Sequence, residues 1–390
     1  MNRRIFVLGA SGAMWMQAAP SEQLNVGVIG SGGRGRLLME RFARDVSVRL
    51  TAVCDVYEPN LEAGLSVAKG KAKAYRRYQE LLDDKDIDIV IIATPEHWHA
   101  QMVLDALAAG KDVYVEKPLC HTPEQGVGLM KAARDSKQIV QVGMQRRSYP
   151  LYLKARDICG AGTLGNVRLV RTWWINNNLK NRSEQKLTGP LDWEQWQGPA
   201  PHHPMDPDRF HNWRNYKDYA GGIVADQGAH IYDGIHLIRG VGFPMAVNAS
   251  AGKVHSPYGD TPETVVVAAE YPEDFLGVFT INYAGMHYPN RLDQLNQFDG
   301  DAARMDVGRE FLSVYKQAEP ETPAITGSGN FDTAVDAHIQ NFIDCVRKRK
   351  QPNGTVEKGF QAALVIQMAN LSLETGRRIR WNARALKVES

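Results

Sequence analysis

Cysteine is scarce in this chain, with four in 390 residues, and none of Cys54, Cys120, Cys159 and Cys345 falls in a CxxC spacing. That excludes a thiolate zinc cluster and a thioredoxin-like pair, and it leaves four scattered, buried thiols as the expectation. An excess of charge is also missing: 46 Lys+Arg stand against 44 Asp+Glu, a formal net charge of +2. There is thus no basic field for a nucleic-acid backbone and no polybasic patch for a membrane surface. Internal repeats and low-complexity tracts are absent. What is present is 43% apolar residues with Trp, Tyr and Phe throughout, in a chain long enough for two domains and a large core. Small molecules are the expected partners.

The first nineteen residues stand apart. Asn2-Arg3-Arg4-Ile5-Phe6-Val7-Leu8 sets two arginines before a short Gly/Ala-containing stretch, and Gln17-Ala18-Ala19 is an imperfect small-residue cleavage site before Pro20. The segment resembles a twin-arginine export signal and is too short for a membrane span. Its removal takes away two arginines and no acid, leaving 44 basic and 44 acidic residues. A periplasmic or secreted protein is expected, with a cytoplasmic one bearing a disordered leader as the alternative.

The most informative stretch begins at Leu24, where a short apolar run ends in Gly30-Ser31-Gly32-Gly33-Arg34-Gly35. Leu37, Leu38 and Phe42 then recur at helical spacing, and a second run, Leu50 to Cys54, ends at Asp55. Strand, glycine turn, helix and terminal acid together read as a dinucleotide site. Gly30 permits the tight turn, Gly32 lets the backbone approach a pyrophosphate, and Gly35 lets the helix pack closely with its N-terminal amides facing the phosphates. Asp55 would accept hydrogen bonds from the adenosine ribose. The residues after it, Val56 and Tyr57, include no arginine, which favours NAD. Arg34 leaves NADP open, because its guanidinium could hold a 2′-phosphate.

From residue 24 to about 145, apolar runs (Ile87–Ile92, Asp112–Val115, Ile139–Val142) alternate with helical patterns (Ala100–Ala109, Pro123–Ser136). The expected fold class is therefore α/β, with a Rossmann domain over 22–145. Residues 146–390 are expected to form a second α/β domain around an open, largely antiparallel sheet, with strand-like runs at Val167–Trp174, Thr264–Ala269 and Leu276–Tyr283. Residues 175–222, rich in Asn, Pro, Trp and His, read as a long ordered loop. A late amphipathic pattern (Val335, Ile339, Phe342, Ile343, Val346) marks a helix expected to pack back on the first domain.

Three segments could carry chemistry. Glu116-Lys117-Pro118 follows a strand whose C-terminal end faces the cofactor crevice, so Lys117 is placed to hold a substrate hydroxyl. Thr94-Pro95-Glu96-His97-Trp98-His99 likewise follows a strand; its two histidines lack a third ligand at recognisable spacing, so no metal is expected. In Gly221-Gly222…Asp226…His230…Asp233, the acids and the imidazole share one helix face, the arrangement of an oriented general base.

Taken in order, Gly30-x-Gly32-x-x-Gly35, Thr94-Pro95 with His99, Glu116-Lys117-Pro118 and Asp226-x-x-x-His230-x-x-Asp233 resemble the glucose-fructose oxidoreductase/inositol dehydrogenase (Gfo/Idh/MocA) family. Trp193 to Pro201 and Arg209 to Tyr219 look like segments of its exported members. The resemblance implies a catalytic trio of Lys117, Asp226 and His230, with nicotinamide held between the domains by the glycine turn, Asp55, Thr94, Pro95, His99 and Glu116. His230 would take a hydroxyl proton from a sugar or polyol as hydride passes to the cofactor. Arg146, Arg147, Trp173, Trp174, Tyr283 and His287 are candidate substrate contacts, since aromatic faces suit sugar rings. An exported member must carry its cofactor tightly bound and regenerate it in place. That keeps two alternatives in view: a redox-neutral glycoside hydrolase acting through transient oxidation, and a non-catalytic nucleotide or sugar sensor. The resemblance also implies a homo-oligomer paired through the open sheet.

Overall fold

The computed structural model describes residues 23–176, 186–257, 259–286 and 293–389. The expected export signal and His287 lie outside the described residues. In the first part of the chain, strands and helices alternate: β1 (Leu24–Ile29), α1 (Gly33–Phe42), β2 (Val48–Cys54), α2 (Glu58–Val67), β3 (Lys73–Tyr75), α3 (Tyr78–Asp83), β4 (Ile89–Ile92), α4 (Glu96–Ala108), β5 (Asp112–Val115), α5 (Pro123–Asp135) and β6 (Val140–Val142). The strands form one parallel sheet in the order β3-β2-β1-β4-β5-β6. All residues of β4 and β5 are buried, as strands with helices on both faces require. This order reverses beside β1, and the crevice outside the strand ends there is where such sheets bind dinucleotides.

The remainder comprises α6 (Pro150–Gly160), β7 (Val167–Ile175), α7 (Trp193–Gln197), α8 (Pro207–His211), α9 (Gly222–Arg239), β8 (Ala246–Ala251), β9 (Thr264–Tyr271), β10 (Phe275–Asn282), β11 (Gln294–Gly300), β12 (Ala303–Gly308), β13 (Phe311–Lys316), β14 (Glu319–Ser328), α10 (Asp332–Lys348), α11 (Val356–Thr375), β15 (Ile379–Asn382) and β16 (Lys387–Glu389). Its sheet runs β14-β13-β12-β11-β7-β10-β9-β8-β15-β16 and is antiparallel except where β7 and β10 pair in parallel. Along β10 the residues alternate buried and half-buried: Phe275, Gly277, Phe279 and Ile281 face the helices, while the opposite face is more open, with Val266 of β9 41% exposed.

Two short helices interrupt the stretch expected to be a loop. Asp192 caps α7 by accepting from Gln195 N, and Asp206 caps α8 ahead of Pro207. At five residues each they are too short to show a period. Trp193, Trp196, Tyr216 and Tyr219 bury one another in a separate small core. Helix α10 returns to the first sheet, where Val335, Ile339, Phe342, Ile343 and Val346 join Val26, Leu38, Phe42 and Ile91 in one cluster. Cys54, Cys120, Cys159 and Cys345 are free thiols. Among the described residues, no helix is long and apolar enough to cross a membrane.

Candidate active site at the strand ends

The glycine turn is built by contact. Gly30 sits at φ +87°, and a Cβ on Gly35 would stand 2.0 Å from the Gly30 carbonyl, so α1 can start this close to β1 only without side chains there. By contrast, a Cβ on Gly32 would meet nothing closer than 3.7 Å, which leaves its backbone open to a ligand. Gly33 is the first residue of α1. Asp55, one residue past β2, accepts from Ser31 N at 2.8 Å and from Tyr57 N at 2.9 Å. Burial pushes its carboxyl up against the downward pull of those bonds. It lines a cavity of about 110 Å³ with Gly30, Thr94, Trp98, Met102 and Trp196.

Thr94 also lines a second cavity, of about 220 Å³, shared by Arg34, Glu96, Glu116, Lys117, Gln145, Trp213, Arg214, Asp226 and His230. Arg34 of the glycine turn, the strand-end lysine and Asp226 and His230 of α9, far apart in sequence, thus line one cavity, and Thr94 belongs to the walls of both cavities. The Lys117 ammonium donates to the Asp226 carbonyl at 2.6 Å and to its Oδ1 at 2.9 Å. With three donors on the nitrogen, one remains for the cleft. Burial opposes ionisation of Asp226, yet Lys117 and Arg214 hold its carboxyl below the usual carboxylate range. Gln227 donates to Asp226 Oδ2 at 2.8 Å and to Tyr283 Oη at 2.7 Å, fixing the second oxygen. Burial, with Lys117, Arg146 and Arg34 nearby, drives His230 well below the ordinary histidine value, so at neutral pH the ring is uncharged and able to accept a proton.

Several expectations need correction. Asp226 turns its carboxylate to Lys117, and among the described residues no group hydrogen-bonds the His230 ring, so the helix spacing does not produce the expected carboxylate–imidazole contact. Asp233 of α9 is 1% exposed and paired with Arg147, on a buried side of the helix and outside the cleft. Arg146 is equally buried: it donates to the His230 carbonyl at 3.2 Å and packs on Tyr152 and Trp174. Both arginines hold α9 in place and are not free to meet a substrate. Trp174 shares the helix-facing side of the sheet with its neighbour Ile281, whereas Trp173 pairs with Thr280 on the opposite side. Tyr283 is buried behind Gln227 and reaches the site only through it. His99 is buried between the carbonyls of Pro118 (2.6 Å) and Thr94 (3.0 Å), tying the two strand-end turns together without facing the cofactor crevice. Pro95 precedes α4 as its N-cap and sets the direction of Thr94. Arg34 donates to Glu116 at 2.7 Å inside the cleft that holds Lys117, away from Asp55, so it gives no support to a 2′-phosphate contact. The arginine beside Ser31 is Arg36, which donates to the Ser31 carbonyl.

Residues 24–144 match the family description "Oxidoreductase family, NAD-binding Rossmann fold", and residues 161–380 match "Oxidoreductase family, C-terminal alpha/beta domain". The chain belongs to the Gfo/Idh/MocA oxidoreductase family. Its N-terminal sheet is the family's NAD-binding domain. An inositol 2-dehydrogenase of Salmonella typhimurium is 34% identical over 149 residues, 38% of this chain and 44% of that protein, so the chain matches less than half the length of this relative. An uncharacterized oxidoreductase of Bacillus subtilis, YrbE, is 29% identical over 91% of this chain and 96% of its own length. A solved levoglucosan dehydrogenase in complex with NADH and levoglucosan superposes with a TM-score of 0.72 at 20% identity, covering 92% of this chain and 99% of that one, and so shares the fold.

For this Gfo/Idh/MocA protein, four polar or aromatic cleft residues were not among the expected site residues: Glu96, Gln145, Trp213 and Arg214. Glu96 lay within a segment already singled out, but its burial could not be read from one turn of helix. It is 3% exposed, accepts from Gly221 N at 3.2 Å, and is pushed up to about 7 by burial, with Lys117 opposing. Its carboxylate form sets a negative charge near Lys117 in the cleft. Activity governed by this pair is therefore expected to rise as pH passes upward through about 7. In Glu96→Gln that limb of the kcat/KM profile should vanish with NAD binding unchanged; an unaltered profile would show that Glu96 only anchors Gly221.

Proposed function

We propose that the protein oxidises a hydroxyl of a sugar, glycoside or polyol, transferring hydride to NAD(P). The observation that carries this reading is the Lys117 ammonium, held by Asp226 beside a neutral His230, in a cleft that shares Thr94 with the Asp55 cavity. Bound nicotinamide would supply the two-electron acceptor. The chain's own residues do the rest: His230 takes the hydroxyl proton, and Lys117 donates to the oxygen as its charge develops. Asp226, clamped by Gln227, aims the ammonium. Trp213 and Arg214 at the cleft offer a flat apolar face and hydrogen-bond donors to the sugar ring. The sugar-class reading is supported by the inositol and levoglucosan named for the two relatives above.

Mass spectrometry of products from a panel of sugars and aryl glycosides tests the reading. Keto-sugars lacking two hydrogens, with glycosidic bonds intact, are expected. Freed aglycone without net NADH would favour the redox-neutral glycoside hydrolase, and ligand binding without turnover would favour a sensor. Export through the Arg3-Arg4 signal and pairing of copies through the open face of the ten-stranded sheet belong to the same proposal. So does the division of the chain near residue 145.

A further inference from the structure

The charges in the cleft of Lys117 and His230 nearly cancel. Arg34 donates to Glu116 at 2.7 Å, and Lys117 to Asp226 Oδ1 at 2.9 Å. Burial leaves His230 uncharged and holds Glu96 up to about 7. The cation left over is Arg214, which lines the same cavity. Its Nε stands 3.6 Å from Asp226 Oδ1, beyond hydrogen-bond reach, and the two Asp226 oxygens already accept from Lys117 at 2.9 Å and Gln227 at 2.8 Å. Among the described residues, no group accepts a hydrogen bond from the Arg214 guanidinium. The side chain is 50% exposed, so a ligand can reach it.

Its position is nonetheless set. Trp213–Asn215 is one turn of 3-10 helix ahead of α9, and the Asn215 carbonyl accepts from Asp260 N at 2.9 Å and from Thr261 Oγ1 at 3.1 Å. The guanidinium lies over the Trp213 ring, 4.2 Å from its centroid, and Trp213 packs against the small core that contains Trp196 and Tyr219. A planar fork of donors, laid on an aromatic face in the wall of this cleft, has the shape and charge to take a carboxylate by two parallel hydrogen bonds.

We infer that the substrate is a sugar acid of the uronate type, its carboxylate bound by Arg214 while a hydroxyl on another carbon lies between Lys117 and His230. The inference rests on the oxidoreductase reading and narrows it. The carboxylate takes no part in the redox step: hydride passes from the hydroxyl-bearing carbon to the nicotinamide, the hydroxyl proton passes to His230, and the carboxylate leaves unchanged. A single unmatched cation suits a monoanion. A phosphate ester, with about two negative charges, would set a surplus beside Asp226 and Glu116.

The test compares kcat/KM of the full chain, with NAD supplied, on D-glucuronate and D-galacturonate, their methyl esters, D-glucose and D-galactose, and D-glucose 6-phosphate. The free acid is expected to exceed its ester and its neutral counterpart by roughly 10- to 100-fold, the worth of hydrogen bonds to a charged group. Taken within one enzyme, this ratio cancels any general effect of Arg214 on Asp226. It should collapse to about one in Arg214→Gln and survive in part in Arg214→Lys, which keeps the charge and loses the fork. Added salt should shrink the wild-type ratio, since the guanidinium is half exposed. A wild type that prefers the neutral sugars, the esters or the phosphate, or a ratio that persists in Arg214→Gln, would overturn the carboxylate and leave the oxidoreductase reading standing. No keto product from these compounds or from the wider panel above would overturn that reading, and the inference with it.

Discussion

His230→Ala is expected to lower kcat by about 10²- to 10⁴-fold, the usual contribution of a positioned general base, while leaving bound dinucleotide and thermal stability in place. The separation is physical. The ring makes no hydrogen bond to any described residue, so its loss breaks no network, and the His230 carbonyl that receives Arg146 remains. Because burial and four neighbouring cations keep the ring uncharged, no loss of activity from its protonation is expected near neutral pH. Loss of the cofactor or of the fold in this variant would identify His230 as structural.

Lys117→Met should fail differently, losing both rate and stability. Removing the donor to the developing oxyanion is expected to cost about 10²- to 10³-fold in kcat. It also strips Asp226 of its main partner, leaving a carboxylate with Arg214 at 3.6 Å as its remaining cation. A lowered Tm should follow, since a largely buried carboxylate that has lost its nearest cation is costly. Adding Asp226→Asn removes that charge. The double variant should recover Tm and not kcat, a non-additivity that marks two groups acting as one unit. Recovery of both would mean that Lys117 serves the fold alone.

The first domain was legible because its central strands, β4 and β5 above all, are buried on both faces and therefore written as apolar runs, whereas the exposed edge strand β3 carries no such run. The glycine turn could be read because only glycine fits where Gly35 meets the Gly30 carbonyl. Spacing also placed Asp226 and His230 on one helix face. It could not say which way Asp226 would turn, because its rotamer is set by Lys117, more than a hundred positions earlier, and by Gln227. Arg146 and Arg147 misled for a related reason. Arginine is ordinarily exposed, and their burial beneath α9 depends on Asp233 and the His230 carbonyl waiting there. Alternation along β7 already implied that adjacent Trp173 and Trp174 could not both face one cleft. Glu96 needed the full tertiary structure, since a carboxyl titrating near 7 is made by enclosure and not by its neighbours in sequence.

The most direct measurement follows an isotope. A sugar or polyol that turns over is prepared with deuterium on the carbon bearing the oxidised hydroxyl, and the cofactor recovered after one turnover is weighed. Deuterium carried onto the nicotinamide, in wild type and to a far smaller extent in His230→Ala, is the expected result. Product formation with unlabelled cofactor would contradict hydride transfer in this cleft.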